Sequence, residues 1–268
     1  VLDASINITK EFKIKNLTAE INHTKDRAAN LFNITIKKGS LLDFDLENSV
    51  FKLKRENNEN EIKSLLNTKG EIDLDKIKKI LSFLNLNINS IKKIEGKIDL
   101  QTNLEFKLNK RYRIKNLVYS LEGKIPYSEI YFKENKVFKK YLPDYKGKIT
   151  IKDSKLKFIN NEPINTVEMN GFVKISDEFD NFYLKQIYNV NKKNSNIIGK
   201  VNLTNSQVNI PILNYIKNRG QISEVDFNFN FTKNKNINIK NFLFLSDNSK
   251  INIDDLKLNK NLETNDLK

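Results

Sequence analysis

The segment 95–108, EGKIDLQTNLEFKL, alternates apolar and polar side chains over an unusual length. Its apolar residues occupy even positions only: Ile98, Leu100, Leu104, Phe106 and Leu108. Successive side chains of a β-strand point to opposite faces, so this spacing places all of them on one face. The segment from Ile98 to Leu108 would extend roughly 36 Å at about 3.3 Å per residue, about twice the usual strand length. The sequence therefore predicts long strands with one apolar and one polar face.

Such alternating segments recur along the chain, and each is marked by a glycine. The chain has eight glycines, and each is followed two positions later by Ile, Leu or Val, as in Gly96 and Ile98. These three residue types make up roughly a quarter of the chain, so eight chance matches have odds on the order of one in 100,000. The glycines recur every two to three dozen residues, about the length of one hairpin. The pattern predicts a sheet built from hairpin repeats led by glycines.

A second repeated element interrupts the alternation with two polar residues. It occurs in FKIKNLTAEI (12–21), YRIKNLVYSL (112–121), INIKNFLFLS (237–246) and INIDDLKLN (251–259). The apolar positions change parity across each step, for example between Ile14 and Leu17. A two-residue turn or a β-bulge would return both halves to the same face, and Asn and Asp tolerate the left-handed backbone required. The sequence leaves turn and bulge open.

Two departures from alternation predict short helices, near 75–84 and 211–218. The first has apolar residues at helical spacing, Ile77, Ile80, Leu81 and Leu84. Asp73 or Asp75 can cap its N-terminus. In the second, Pro211 suits the first helical turn and Gly220 the far end. We expect both helices to cap or plug an end or edge of the sheet.

Two further segments have ambiguous patterns. ENEIKSLLN (59–67) has a weaker helical pattern, and DEFDNFYLKQIY (177–188) fits either a helix or a strand. With 38% hydrophobic and 30% charged residues, the chain suits a thin one-sided layer better than a deep core. No Pro-rich or Gly/Ser-rich linker marks a boundary. We predict one continuous segment over 1–268, mainly β: an elongated, twisted, curved antiparallel sheet forming an open apolar groove, with two or three short helices.

The net charge of +14 and the pI near 9.5 are typical of proteins that bind nucleic acid or an anionic membrane surface. The chain is also rich in Lys, Asn and Ile, whose codons are A/T-rich, so mutational bias can account for the balance. The most basic local patch is LNKRYRIKNLVY (108–119). Its alternation predicts Lys110, Arg111, Arg113 and Lys115 on the solvated side of a strand. Contact with lipid headgroups is a second interpretation.

The sequence gives little basis for catalysis or metal binding. There is no cysteine and one histidine, His23, which excludes Cys/His nucleophiles and the usual zinc clusters. No phosphate-binding Gly-rich loop or Gly-x-Ser-x-Gly motif occurs. Closely spaced carboxylates are explained by solvation or capping: Asp43, Asp45 and Glu47, and Asp73 and Asp75. We predict a non-catalytic chain without cofactor or metal, and we expect His23 to lie in a surface turn.

The chain begins at Val1 and contains no signal sequence and no run of 18 apolar residues. We therefore interpret it as a piece of a longer protein. The absence of cysteine is compatible with an oxidising compartment without requiring one.

The glycine-led strands, the IKNL steps and the short helix before EGKIDLQTNLEFKL together resemble the AsmA-like superfamily of Gram-negative bacteria, particularly its YhdP and TamB-type members. The resemblance implies a periplasmic body, anchored in the inner membrane through an N-terminal segment that is missing here. It also implies a long curled sheet whose apolar groove carries phospholipid towards the outer membrane.

On this resemblance we expect phospholipid acyl chains as the ligand and no specific nucleic acid. The residues expected to line the groove are Ile98, Leu100, Leu104, Phe106, Leu108, Leu117, Tyr119, Leu121, Ile149, Ile151, Phe227, Phe229, Phe231, Phe242 and Phe244. Two alternatives remain open. One is a closed structural β domain, a sandwich or solenoid without ligand. The other is a basic module that binds nucleic acid or another anionic surface.

Overall fold

The computed structural model of the chain describes residues 4–7, 13–26, 29–56, 59–83, 91–111, 113–133, 136–232, 237–247, 249–258 and 264–266. It is mainly β and contains a large antiparallel sheet, as predicted. The chain divides into two compact units. Unit 1 comprises Val1–Ile88 and Glu95–Ile125, and unit 2 comprises Asn89–Ile94 and Pro126–Lys268. The single continuous segment over 1–268 stays a prediction.

Unit 1 contains six complete strands, one helix and the larger part of two further strands. They are β1 (Ala4–Asn7), β2 (Lys13–Asp26), β3 (Ala29–Leu41), β4 (Phe44–Asp45), β5 (Val50–Glu56), β6 (Glu59–Asp73), α1 (Leu74–Phe83), β7 (Ile91–Leu108) and β8 (Ile114–Phe132). β2 pairs with β1 and β3, β3 pairs with β5, β5 with β6, and β6 with β7, all antiparallel.

Unit 2 contains the rest of β7 and β8 and all later elements. They are α2 (Lys136–Tyr141), β9 (Lys148–Asn161), β10 (Ile164–Lys174), β11 (Phe179–Asn189), β12 (Asn194–Asn202), β13 (Val208–Ile210), a 3₁₀ turn (Pro211–Leu213), β14 (Tyr215–Lys217), β15 (Ser223–Phe231), β16 (Ile237–Ser246), β17 (Ser249–Ile253), β18 (Leu256–Leu258) and β19 (Thr264–Asp266). Antiparallel pairs join β9, β10, β11, β12, β15 and β16 in that order. β16 also pairs with β17 and β18.

The polar steps in the sequence are bulges and local interruptions of strands, not two-residue turns. Asn16 has a left-handed backbone, φ 52°, inside the continuous strand β2, where the pairing with β3 shifts register. Asn116, φ 53°, lies inside β8 in the same way. In β16, Lys240 is the extra residue, because Phe229 pairs with Ile239 whereas the preceding Asn228 pairs with Asn241. Each bulge restores the apolar parity that the sequence breaks.

The Asp254–Asp255 step also restores the apolar parity, but it does so between two successive strands and not within one. Asp255, φ 54°, separates β17 from β18, and both strands pair with β16. One further bulge was missed in the sequence, at Asp153 (φ 45°) in β9, opposite Gly171. A Cβ on Gly171 would overlap the fully buried Ser154, so glycine is required beside this bulge.

The prediction that glycines lead the strands is wrong for most of them. Six glycines lie inside strands: Gly39, Gly70, Gly96, Gly123, Gly171 and Gly199. Gly147 immediately precedes β9, and Gly220 lies shortly before β15. At Gly123, Gly171 and Gly199 a neighbouring strand or ring approaches the backbone so closely that a Cβ would overlap it.

The first predicted helix is confirmed as α1. The Asp73 side chain is its N-cap, since Oδ1 accepts a hydrogen bond of 2.8 Å from the Lys76 backbone N–H. Lys76 also places its ammonium 5.2 Å from the centre of the buried Phe44 ring. These contacts fix the start of the helix against the segment that contains Phe44. Within the described ranges, no helix has the length and apolar character needed to cross a bilayer.

The helix predicted at 211–218 is wrong. Pro211–Leu213 form a single 3₁₀ turn, closed by the Asn214 N–H to the Pro211 carbonyl at 3.1 Å. Asn214 then adopts a left-handed conformation, φ 49°, and the chain reverses so that Ile210 pairs with Tyr215. β13 and β14 therefore form a short hairpin.

The two ambiguous segments are both strands, so the weaker helix at 59–67 is also wrong. β6 begins at Glu59 and pairs along its length with β5 and β7, which outweighs the helical spacing of its apolar residues. The segment 177–188 contains most of β11. The second helix of the structure, α2, was not predicted.

Candidate functional site

In unit 2 the strand registers align apolar side chains in rows that run across the strands. Directly paired residues of antiparallel strands point to the same side of the sheet. One row, called the Phe229 row, crosses seven strands: Phe158, Val167, Gln186, Ile197, Phe229, Ile239 and Leu256. At about 4.8 Å between strands it extends roughly 29 Å. Only Gln186 in this row is polar.

A second row lies beside it on the same side, two residues along each strand. This Phe227 row contains Leu156, Met169, Leu184, Gly199, Phe227, Phe242 and Ile253. A Cβ on Gly199 would overlap the Phe227 ring, so the glycine leaves room for the ring to lie over the strand. The Phe227 ring stacks on Phe229 at 4.9 Å between centroids, and Phe229 meets Phe231 edge-on at 6.5 Å. Most side chains of both rows are only half-buried.

A third row of the same face is covered by the β13–β14 hairpin. This Val225 row contains Phe182, Val201, Val225, Phe244 and Ile251. Val208, Ile210 and Tyr215 of the hairpin pack into the same core as Val225 and Phe244, and Phe244 is 1% exposed. Although this segment is not the predicted helix, it does cover one part of the apolar face.

A fully buried lysine holds the hairpin in place. Lys217, on the inner side of β14, is 0% exposed. Its ammonium donates to the backbone carbonyls of Leu203 at 2.5 Å, Thr204 at 2.8 Å and Ser206 at 2.8 Å. The neighbouring Asp180 carboxylate accepts hydrogen bonds from Asn205, and burial raises its pKa.

Arg219 ties the same end of unit 2 to two other loops. Its Nε donates to Asp144 and its Nη1 to Asp177, each at 2.7 Å. These bonds lower the pKa of both carboxyl groups. The hairpin is thus fixed by packing, by an internal ammonium and by a bridging guanidinium.

Unit 1 has two apolar rows of its own, each crossing five strands. The Phe106 row contains His23, Phe32, Leu53, Ile62 and Phe106, and the Leu104 row contains Ile21, Ile34, Phe51, Ser64 and Leu104. Their apolar side chains are half-buried or exposed, up to 62% at Ile21. His23 is on the surface as expected, but in strand β2 and not in a turn, and its ring stacks on Phe32 at 4.5 Å.

The loop between β4 and β5 buries another part of the apolar side of unit 1. Leu46 is 1% exposed and packs in one cluster with Ile14, Leu17 and Ile36. The preceding Phe44 is 2% exposed. In each unit, a loop or hairpin therefore covers part of the apolar side, and the apolar rows lie on another part of that side.

The predicted groove residues fall into two groups by burial. Buried are Ile98, Leu100, Ile151 and Phe244; half-buried are Leu104, Phe106, Leu108, Leu117, Tyr119, Leu121, Ile149, Phe227, Phe229, Phe231 and Phe242. The even-numbered set from Ile98 to Leu108 lies on one side of β7, because the β6–β7 register has no shift. The β15–β16 register pairs Phe227 with Phe242, and it places Phe229, Phe231 and Phe244 on the same side of the sheet.

Sequence reasoning missed the residues that connect these strands into rows. In unit 2 they include Met169, Leu184, Ile197 and Ile239, and in unit 1 Phe32, Leu53 and Ile62. Each lies in an alternating stretch that was visible in the sequence, for example FNIT at 32–35. The missing information was the pairing between strands.

The opposite side of each unit is mainly polar, although it also carries apolar residues such as Ile198 and Phe172 in unit 2. In unit 1 paired lysines and acids lie across from each other, with Lys63 Nζ 3.2 Å from Glu105 and Lys69 Nζ 3.5 Å from Asp99. In unit 2 a cavity of about 480 Å³ lies on this side, where Lys185 and Glu168 are 3.9 Å apart. Such exposed pairs contribute little to stability, and they neutralise part of the positive charge. No group of acids and histidines in the described ranges is arranged to hold a metal ion.

The carboxylate of Glu129, in unit 2, accepts hydrogen bonds from three side chains. Lys148 Nζ donates to Glu129 Oε1 at 2.8 Å, and the hydroxyls of Tyr127 and Tyr131 donate to its two oxygens at 2.5 Å each. These bonds lower the pKa of Glu129 to about 2. They raise the pKa of both tyrosines.

Glu129→Gln is expected to remove an acid-dependent contribution to stability. Because the folded pKa of about 2 lies below the unfolded value of 4.5, the stabilisation is complete above pH 4.5 and is lost as pH falls towards 2. Allowing for solvent screening, we expect a loss of about 1–2 kcal/mol. Urea denaturation between pH 7 and 2.5 measures this, with Glu162→Gln in the exposed β9–β10 turn as control. Parallel curves for wild type and Glu129→Gln would contradict the assignment.

No protein-family profile, curated protein or solved structure matches this chain.

Proposed function

We propose that this chain is a non-catalytic segment that carries phospholipid, with the acyl chains on the apolar rows of an elongated, twisted and curved sheet. On this proposal the sheet forms an open groove in a larger AsmA-like protein of the periplasm, anchored to the inner membrane through a segment not present here. The observation that carries the proposal is the alignment of half-buried aromatic and aliphatic side chains into the Phe229 and Phe227 rows.

The physical reason is the cost of moving an acyl chain through water. Exposing one CH₂ costs about 0.8 kcal/mol, so a 16-carbon chain costs roughly 12 kcal/mol. A row that crosses seven strands extends roughly 29 Å, longer than such an acyl chain, and offers it apolar side chains along the path.

Burial argues against the alternative of a closed domain without ligand. Close-packed interiors leave few gaps, and a closed sandwich would bury its aromatic rows to the level of Phe244, at 1% exposure. Phe227, Phe229 and Phe231 are instead half-buried. A contiguous set of apolar side chains that stays partly open to solvent is typical of a binding surface.

The test is photo-crosslinking from matched positions on the two sides of the sheet. A photoreactive residue at Phe229 or Phe106 is expected to form adducts with phospholipid acyl chains. The same residue at Asn228 or Lys107, next in sequence but on the opposite side, is expected to form few or none. Mass spectrometry of the purified chain incubated with vesicles identifies the adducts.

Equal yields from both sides, or no lipid adduct from Phe229 and Phe106, would contradict the proposal. A closed structural domain predicts the second outcome. Co-purification with RNA or DNA, with affinity falling steeply as salt rises, would favour the nucleic-acid alternative.

A further inference from the structure

The turn between β7 and β8 concentrates positive charge that has no acidic partner in the described structure. Residues 107–115 contain Lys107, Lys110, Arg111, Arg113 and Lys115 and no acid. Lys107 is 3.9 Å from Glu59. Among the described residues, none of the other four forms an ion pair, and all four are exposed. All four are solvated as predicted, but the prediction that they lie on a strand is wrong for Lys110, Arg111 and Arg113, which lie between β7 and β8.

The acids nearest in the sheet register are already paired. β6 begins at Glu59, and its next residue, Asn60, pairs with Leu108 at the end of β7. Glu56, the last residue of β5, binds Lys54 at 2.7 Å, and Glu59 faces Lys107. The turn therefore carries an excess of positive charge at this end of unit 1. Elsewhere on the polar side, lysines such as Lys63 and Lys69 have acidic partners.

The backbone of the turn is ordered by its own first residue. Asn109 Oδ1 accepts hydrogen bonds from the N–H groups of Arg111 at 2.9 Å and Arg113 at 3.0 Å. The Asn109 N–H in turn donates to the Arg113 carbonyl at 3.2 Å. The cationic side chains consequently extend from a fixed loop and not from a free one.

We propose that this turn docks on the surface of an anionic phospholipid bilayer. Guanidinium groups bind phosphate oxygens in a bidentate manner, and two of the five arginines of the chain lie here. Clusters of Lys and Arg are attracted to the negative surface potential of an anionic leaflet, and each added cation strengthens binding.

Two apolar features favour a bilayer over a nucleic acid. Ile114 directly follows the turn and is 47% exposed, which suits the boundary between headgroups and acyl chains. The half-buried Leu108 and Phe106 continue from the turn into the apolar side of β7. This second point rests on the proposed function, because a headgroup at the turn would leave its acyl chain next to the Phe106 row.

The experiment is vesicle co-sedimentation of the full chain. Vesicles of phosphatidylcholine with 30% phosphatidylglycerol, roughly the range of natural anionic membranes, are compared with pure phosphatidylcholine at low and physiological salt. The test variant carries Lys110→Gln, Arg111→Gln, Arg113→Gln and Lys115→Gln, with Asn109 kept. The control carries Lys155→Gln, Lys157→Gln, Lys192→Gln and Lys193→Gln, which removes the same charge from exposed positions in unit 2.

Wild type and control are expected to bind the anionic vesicles, and the test variant to bind at least about 50-fold more weakly. Equal losses in both variants would show that net charge alone drives binding and would overturn the proposal. So would tighter binding of a single-stranded 20-mer oligonucleotide that displaces the vesicles. Acyl crosslinking from Phe229 is measured separately, so failure of docking and failure of lipid carriage can be distinguished.

Discussion

Replacing Phe229 with aspartate is expected to slow phospholipid transfer between vesicles by about 100-fold or more while leaving the chain folded. Phe229 lies within its row, stacked on Phe227 and in edge contact with Phe231. An acyl chain passing this point would have to cover an ionised carboxylate. Burying such a charge costs several kcal/mol, and each 1.36 kcal/mol is a factor of ten.

Two further variants separate the charge effect from loss of packing. Phe229→Ala removes the same ring but keeps the path apolar, so transfer is expected to fall less than about fivefold, although the loss of half-buried area costs about 1–2 kcal/mol of stability. Phe172→Asp makes the same substitution at a 41% exposed phenylalanine whose partner Asn181 faces the polar side. This control is expected to transfer lipid at the wild-type rate.

Transfer of a fluorescent phospholipid between donor and acceptor vesicles measures the rate, and circular dichroism checks the fold. Wild-type transfer by a folded Phe229→Asp chain would contradict lipid carriage along this row. Equal slowing by Phe172→Asp would show that charge anywhere on the sheet impairs transfer.

The alternation of single strands could be predicted from the sequence where no bulge interrupts it. β7 has an even-numbered apolar series, and its observed pairing with β6 has no register shift. In contrast, β6 has Ile62, Leu65 and Leu66 at helical spacing, and only its pairing partners on both sides determine that it is a strand. A local pattern is sufficient to predict a strand when the two faces of the strand differ sharply in polarity. It is insufficient when they do not.

The rows could not be predicted, because they depend on register between strands. Phe229 faces Ile239 only because Lys240 is bulged out of β16. The sequence permitted a bulge or a turn at that step, and a turn would have ended the strand and broken the row.

The incorrect prediction of a helix at 211–218 also arises because contacts with distant residues decide the local structure. Pro211 and the spacing of Ile210 and Leu213 fit a helical turn, and one 3₁₀ turn does form. Asn214 ends it, and burial of Tyr215 against Phe244 then favours the hairpin. Nothing local in the sequence indicates that Lys217 is buried, since its three acceptors are carbonyls of a loop more than ten residues earlier.

Lys217→Met is expected to produce the largest loss of stability of any single lysine substitution considered. Methionine has a similar length and keeps the side chain apolar, but it removes the ammonium that donates to the carbonyls of Leu203, Thr204 and Ser206. The Leu203 carbonyl still accepts a hydrogen bond from the Ser206 N–H, and the Thr204 carbonyl one from the Gly220 N–H. Removing the donor of a buried polar group costs about 1–3 kcal/mol. For a chain of this size this corresponds to a fall in Tm of roughly 2–12 °C.

Urea denaturation and native-state hydrogen exchange measure the effect and its location. Exchange is expected to increase first in the β13–β14 hairpin and in the Val225 row beneath it, because Lys217 attaches the hairpin to the 203–206 loop. Lys250→Met is the control: Lys250 is exposed on β17, and its replacement is expected to change stability by no more than about 0.5 kcal/mol. If Lys217→Met and Lys250→Met unfold at the same urea concentration, the ammonium does not hold the hairpin. Covering of the Val225 row would then depend on the packing of Val208, Ile210 and Tyr215 alone.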